Sequence, residues 1–497
     1  MSNFPTFAEV YRSRSTENLR QLSHIKRFME RLVADPTFRW KLAQHIDDPQ
    51  VVAAEYGINV DPMQMLPLFS SEHLKYRGTE AEAQWPLSLL WTTYIKDVIA
   101  HRDELFRHGA QQKHAAFGVW RRRQVQRCLS ELGASAGSIT HPLVAYELSD
   151  GCSVGCWFCG ISADRFRGHL PYTAETAELW RGVVQYMSDT FGAAAQTGFC
   201  YWATDPMDNP DYDKFIADHY KITGFLPQTT TAAPLKDVAL TRRVLALFNE
   251  HQHVINRFSV ISLKLLDRVH AEFSPEELFG VELVTQNREA LMAKANAGRA
   301  RERRQKLRKA GKDDRIAERD DDHSTIACVS GFLVNLPNRT VRMVAPTRAG
   351  DRWPLGYRVF EEAWFADAQE FARVVDEMMA RHCYSELRSS DRLVFRDDLT
   401  VELIDDGFRV RSSTLVHTFN KQPFARRLGE LVAEGTRKAG DIHMQLVVEG
   451  FDVFLVGSVL NSLFAEGLFD DDPVYGGIGP QSNVKIPTGR AEAPVGA

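Results

Sequence analysis

The stretch SDGCSVGCWFCGIS, residues 149–162, places three of the chain's seven cysteines within eight positions. It follows directly on LVAYELS (143–149), an apolar run bounded by turn residues that reads as a strand. Cys152, Cys156 and Cys159 have the spacing C-x3-C-x2-C. A structural zinc ion wants four tetrahedral ligands. The nearest further cysteine is Cys200, and no histidine pair at finger spacing stands beside the loop. A cubane [4Fe–4S] cluster ordinarily takes four thiolates, so three leave one iron open to a small molecule. The loop therefore reads as an open cluster site, with a zinc site completed from a distance or an uncommitted group of thiols as the alternatives.

The rest of the chain bounds this reading. Its 497 residues are room for two or three domains. At 44% hydrophobic and 25% charged it is ordinary for a globular protein, and a formal net charge of -5 offers no polycationic surface for nucleic acid. No apolar run reaches the ~18 residues of a membrane span. MSNFPTFAEVYRSRSTENLRQ, at the start, has no signal-peptide core, so a cytoplasmic protein with no membrane partner is expected. An odd number of cysteines, clustered rather than spread, points away from a disulfide framework and toward metal or redox work.

Residues 1–139 read as helical, with Leu22, Ile25, Phe28, Met29, Leu32 and Val33 on one apolar stripe and a second amphipathic stretch from about Leu89 to Leu132. GASAGSITHP (133–142) is a small-residue hinge. Beyond it, strand candidates TGFCYWAT (197–204), GFLPQTTT (224–231), INRFSVISL (255–263), FGVELVTQ (279–286) and STIACVSGF (324–332) alternate with helical patterns such as AETAELWRGVVQYMSDTF and LTRRVLALFNEH. Such alternation predicts a parallel α/β sheet, open or closed into a barrel, with chemistry at the C-terminal ends of the strands. Residues 294–322 are charge-rich and read as a solvated helix or arm, or as a basic contact for an acidic peptide. TVRMVAP and PLGYRVFEEAWF read as strands, FADAQEFARVVDEMMARHCYSEL as a helix, DLTVELIDDGFRVRS as a hairpin, 422–467 as mainly helical, and the tail after Asp472 as loop.

With its post-strand position, the cysteine spacing resembles the radical SAM superfamily. That resemblance implies a partial (β/α)6 barrel over residues 140–345, an N-terminal helical region (1–139) and a C-terminal α+β region (346–497). It also implies a [4Fe–4S] cluster on Cys152, Cys156 and Cys159 and S-adenosylmethionine (SAM) on the open iron. An electron from the cluster then releases a 5′-deoxyadenosyl radical. Phe158 matches the aromatic position near the adenine. Thr204, Asp205 and Pro206 stand where the family holds the SAM amino group, by position and proline rather than by the usual glycines. Thr230, on the third strand, and Ser259 and Ser262, around the fourth, are candidate ribose or carboxylate contacts. Hydroxyls there are as often satisfied by neighbouring backbone.

ELSDGCSVGCWFCGISA, YWATDPMDNPDYDKF and RWPLGYRVFEEAWF resemble a narrower group, the radical SAM peptide epimerases of ribosomal peptide maturation, across roughly 140–420. The resemblance implies abstraction of a Cα hydrogen from one face of an L-residue and return of hydrogen to the other face by a thiol, giving a D-residue. Cys383 lies in the C-terminal place of the family's donor; Cys128, Cys200 and Cys328 read as packing thiols. The implied partners are a ribosomally made precursor peptide and a reducing protein such as flavodoxin or ferredoxin. FMERLVADPTFRWKLAQHIDDPQVVAAEYGINV, within 22–60, is similar to Nif11-type leader segments and reads either as a helical cap or as a leader contact. Two rival readings stand beside this one: another radical SAM peptide modification, such as methylation or crosslinking, and a non-catalytic zinc-holding scaffold that binds a peptide.

Overall fold

A computed structural model describes residues 7–251, 255–291, 296–311, 324–412 and 415–471. The tail after Asp472 and most of the second half of the charge-rich insert lie outside these residues.

The N-terminal part is helical: α1 (Phe7–Arg12), α2 (Thr16–Ala34), α3 (Pro36–Gln44), α4 (Pro49–Glu55), α5 (Pro86–Gly109) and α6 (Ala115–Leu132). Leu22, Ile25 and Phe28 of the expected stripe are fully buried and pack with Phe38, Val52 and Trp91. The opposite side of α2 is also buried, but it is charged. Its Lys26 pairs with Glu30, Arg27 donates to the Phe273 carbonyl at 2.5 Å, and Arg31 reaches Asp267 at 2.5 Å. This polar seam fixes the helical part to α10 (Leu263–Glu272), where His270 meets Glu30 at 3.1 Å.

The middle of the chain is a mixed α/β structure. It runs β1 (Val144–Glu147), β2 (Ser149–Asp150), β3 (Gly168–His169), α7 (Ala174–Phe191), α8 (Tyr212–Thr223), β4 (Thr230–Thr231), α9 (Val238–His251), β5 (Asn256–Val260), then α10 and β6 (Val281–Thr285). There follow α11 (Gly298–Lys309), β7 (Gly331–Asn335), β8 (Thr340–Pro346), β9 (Tyr357–Trp364) and α12 (Ala368–His382). All four residues of β1 are buried, as in a strand covered on both faces. Thr173 caps α7 through a capping box, which is why its boundaries match the sequence pattern.

Among the described residues the structure is mixed α/β, and the strands of the expected partial (β/α)6 barrel fall into separate sheets rather than a clear partial barrel. The described strands form a parallel ladder β4-β5-β6 and a second sheet β1-β7-β8-β9, in which β1 and β7 are parallel and the rest antiparallel. The two approach through 197–204, which makes a single parallel bridge, Phe199 to Ala145, rather than a full strand. Pro227, which has no N–H for a ladder, leaves only Thr230 and Thr231 of 224–231 paired. The sixth candidate is displaced: 324–330 is loop, and β7 starts at Gly331. Gly331 has φ +157 and passes so close to Leu143 O that a Cβ would collide with it.

The C-terminal part pairs β10 (Thr400–Ile404) with β11 (Gly407–Arg411), as the expected hairpin, and adds β12 (Val416–Phe419). Helices α13 (Ala425–Ala433), α14 (Ala439–Val448) and α15 (Val453–Ala465) bury Leu428, Leu431, Ile442, Leu446 and Leu460 against Phe408 and Val410. Arg123, Gln124 and Arg127 of α6 tie this unit down through Asp471.

Candidate functional site

The cysteine loop starts at the C-terminal end of β1 and is closed at its base by the pairing of β2 with β3 (Ser149 to His169, Asp150 to Gly168). Arg167 grips Asp150 through two of its guanidinium nitrogens, Nε and Nη2, at 2.7 and 2.6 Å. Gly151 has φ +78 and faces Arg165 O at a distance no Cβ would fit. Of the two glycines expected to shape the loop, Gly155 takes φ +66. Gly160 acts by close approach instead, since a Cβ there would stand 2.9 Å from Ile326.

Cys152, Cys156 and Cys159 are all partly exposed. Burial pushes the Cys152 thiol up to about 11, against N–H donors from Val154 and Gly155. It pushes Cys156 up to about 12, and the neighbouring Cys159 and Cys152 add to the rise. Ala163 N–H lies 3.4 Å from the Cys159 sulfur. Among the described residues no group of three His, Cys, Asp or Glu side chains converges tightly enough to hold a single metal ion. A cubane is a larger object, and its thiolates attach to different irons. Three partly exposed thiols on one loop, with backbone N–H donors at Cys152 and Cys159, are a donor set of the right chemistry for it.

A second layer anchors the loop. Ser153, between the first two cysteines, donates its N–H (2.8 Å) and its hydroxyl (2.5 Å) to Asp208, which is 4% exposed and also pairs with Lys236. The other expected contacts have structural partners. Asp205 caps the short turn Pro206–Asp208 and accepts from Thr231 Oγ1 at 2.7 Å and Ala232 N–H at 2.8 Å, with Pro206 buried at the start of that turn. Burial raises its carboxyl to about 6. Ser262 caps α10 by accepting from Leu265 N–H at 3.2 Å. Thr204, Thr230 and Ser259 stay partly exposed, and Phe158 packs edge-on against Trp157.

The inner face of the β1 sheet, opposite α7 and α12, is covered by the cysteine loop and by 324–330. Ala145, Phe199, Leu333, Val344 and Tyr357 form one apolar cluster there, with Cys159, Tyr201 and Cys328 against it. Polar groups rim it: Glu147 accepts from Ala203 N–H and Asn335, Arg342 pairs with Glu362 at 2.8 Å, and Tyr201 meets Gln228 at 3.2 Å. Burial raises Glu147, and raises the Cys328 thiol to about 12.

The structure does not bring Cys383 to this face. The register sets Glu147 level with Asn335, Asn335 with Thr340 and Thr340 with Trp364, so β9 ends at the same edge as β1. From there α12 runs back about 22 Å at 1.5 Å per residue. Cys383, at its C-cap, lies toward the opposite edge, 5% exposed, in the core that holds Trp120 and Met379. Cys128 and Cys200 are core thiols as expected, whereas Cys328, also expected in the core, is partly exposed. The Ser153–Asp208–Lys236 link left no sequence signal beyond the acidic run 205–213.

Residues 393–467 match the family described as the protein y4wI C-terminal domain. Over 466 residues the chain is 48% identical to the uncharacterized protein y4wI of Sinorhizobium fredii (strain NBRC 101917 / NGR234), covering 93% of this chain and 90% of that one. The crystal structure of BtrN in complex with AdoMet and 2-DOIA matches 40% of this chain and 72% of its own, at 13% identity and a TM-score of 0.26, too slight a likeness to carry weight.

Proposed function

This chain belongs to the y4wI family, and we propose that it is a radical SAM enzyme that converts L-residues to D-residues in a ribosomally made peptide. The observation that carries the reading is the loop with three partly exposed thiols at C-x3-C-x2-C spacing, at the C-terminal end of a buried parallel strand. When bound there, a [4Fe–4S] cluster supplies the electron that cleaves SAM to the 5′-deoxyadenosyl radical. The chain's own residues do the rest. Cys152, Cys156 and Cys159 hold the irons, and Asp208 holds the loop through Ser153. Phe158, Thr204 and Ser259 are the groups left to touch SAM, because Asp205 and Ser262 are engaged in caps and the Thr230 hydroxyl is buried.

Hydrogen return needs a thiol on the inner face. Cys328 meets that requirement and Cys383, in the core, does not, so we assign the donor to Cys328. The precursor leader is expected against the N-terminal helices.

Anaerobic reconstitution followed by iron and sulfide analysis tests the cluster; a colourless protein holding stoichiometric zinc would defeat it. Incubation with SAM, dithionite and the precursor peptide in deuterated water tests the chemistry. Deuterium at the inverted Cα is expected, lost in Cys328→Ala and kept in Cys383→Ala. A mass gain of a methyl group, or loss of hydrogens to a crosslink, would redirect the assignment to those reactions.

A further inference from the structure

The charge-rich insert, which reads as solvated from sequence, is fastened to the cysteine loop. The helix α11, GRARERRQKLRK, has Leu307 as its one large apolar residue, so it has no face with which to dock by burial. Its N-terminal end is fixed instead. Arg299 N–H donates to Cys159 O at 2.9 Å. The Arg299 guanidinium donates to Cys156 O at 2.9 Å and to Ala163 O, so one side chain spans the loop from the second cysteine to beyond the third. Gly298 N–H donates to Pro354 O at 2.8 Å. Gly298 also has φ +53, and its Cα passes so near Gly160 O that no Cβ would fit between them. Next along the helix, Arg303 lies over the Trp157 ring at 4.7 Å, and Arg288 over the same ring at 5.5 Å.

We propose that Arg299 is a positioning residue that clamps the cysteine loop and sets a fixed positive charge beside the cluster; the second half of this rests on the cluster reading above. Two effects act in the same direction. The guanidinium fork holds two carbonyls at a fixed spacing, which a lysine cannot do with one ammonium. The positive end of α11, pointing at the same loop, adds to the charge of Arg299. A cluster on three thiolates is anionic and gains a further negative charge on reduction. A fixed cation therefore favours the reduced form and raises its potential.

The test compares wild type with Arg299→Leu, Arg299→Lys and Gly298→Ala, each first checked for folding by circular dichroism. Before iron is added, the alkylation rates of Cys156 and Cys159 are measured by peptide mass spectrometry. Arg299→Leu and Arg299→Lys should each raise them about tenfold, the loss of a charge-assisted hydrogen bond or more. Gly298→Ala, which keeps the guanidinium but pushes the helix away, should do the same. After reconstitution, the midpoint potential of the cluster should fall in Arg299→Leu by about 59 mV, a tenfold change for a one-electron couple. In Arg299→Lys it should stay near wild type, because the charge is kept. Wild-type alkylation rates in Arg299→Leu would overturn the clamp, and an unmoved potential would overturn the electrostatic role. If wild type takes up no iron, the cluster reading fails and the electrostatic role with it, while the alkylation rates still decide the clamp.

Discussion

Asp208→Asn separates a loop held by one buried carboxylate from a loop that holds itself. Asp208 accepts Ser153 N–H on one oxygen and the Ser153 hydroxyl and Lys236 on the other. An asparagine has a single acceptor oxygen. If that oxygen stays with the hydroxyl and Lys236, the amide NH2 faces the Ser153 N–H, donor against donor. Ser153 itself is exposed and this bond only partly buried, so losing the charge-assisted hydrogen bond costs about 1.5 kcal/mol, the low end for such bonds. The lost pair with Lys236, whose side chain is 43% exposed, adds little, ~0–1 kcal/mol. The loop should thus open more easily by about 1.5–2.5 kcal/mol, and amide exchange in 149–162 should quicken roughly 10-fold to 60-fold at about 1.4 kcal/mol per decade. Hydrogen–deuterium exchange with peptide mass spectrometry reads this directly, with a peptide covering β8 as internal control. Exchange in 149–162 within a factor of a few of wild type, with β8 unchanged, would refute the anchoring role of Asp208.

Three further outcomes are expected. Glu131 is buried; burial alone would raise its carboxyl, but the guanidiniums of Arg358, Arg127 and Arg396 outweigh it and hold it at about 2. Glu131→Gln leaves them without that charge and should cost ~3–5 kcal/mol, read as a lower denaturant midpoint; an unchanged midpoint contradicts the argument. Burial raises the Asp205 carboxyl from 3.8 to about 6, so its contribution to stability is complete below 3.8 and lost as pH rises through about 6. Asp205→Asn removes that titration, and its stability relative to wild type should improve by about 3 kcal/mol across that window; a flat difference would sink the assignment. In the folded protein a maleimide should label Cys328 well ahead of Cys383, because burial raises both thiols and access then decides the order; equal rates would place both in the core.

Much of this molecule is local and was legible. The spacing of Cys152, Cys156 and Cys159 identifies the loop, and α7 appears at Ala174–Phe191 where the pattern AETAELWRGVVQYMSDTF sets it. The hairpin turns at Asp405-Asp406, as a polar pair between alternating strands requires. Periodicity and caps report which face of an element is buried, and those signals lie within a few residues of each other.

What the sequence alone determined, then, is that three thiols stand together after a buried strand. Which other residues meet them was decided by tertiary structure. Strand register sends α12 back to the far edge of the sheet and takes Cys383 with it. The displaced start of β7 leaves 324–330 as a loop on the inner face, with Cys328 partly exposed. A helix with almost no apolar residue docks by the backbone of Gly298 and one guanidinium, which no hydrophobic pattern can announce. Each of these depends on pairings between residues dozens to hundreds of positions apart, and only the folded chain sets their distances.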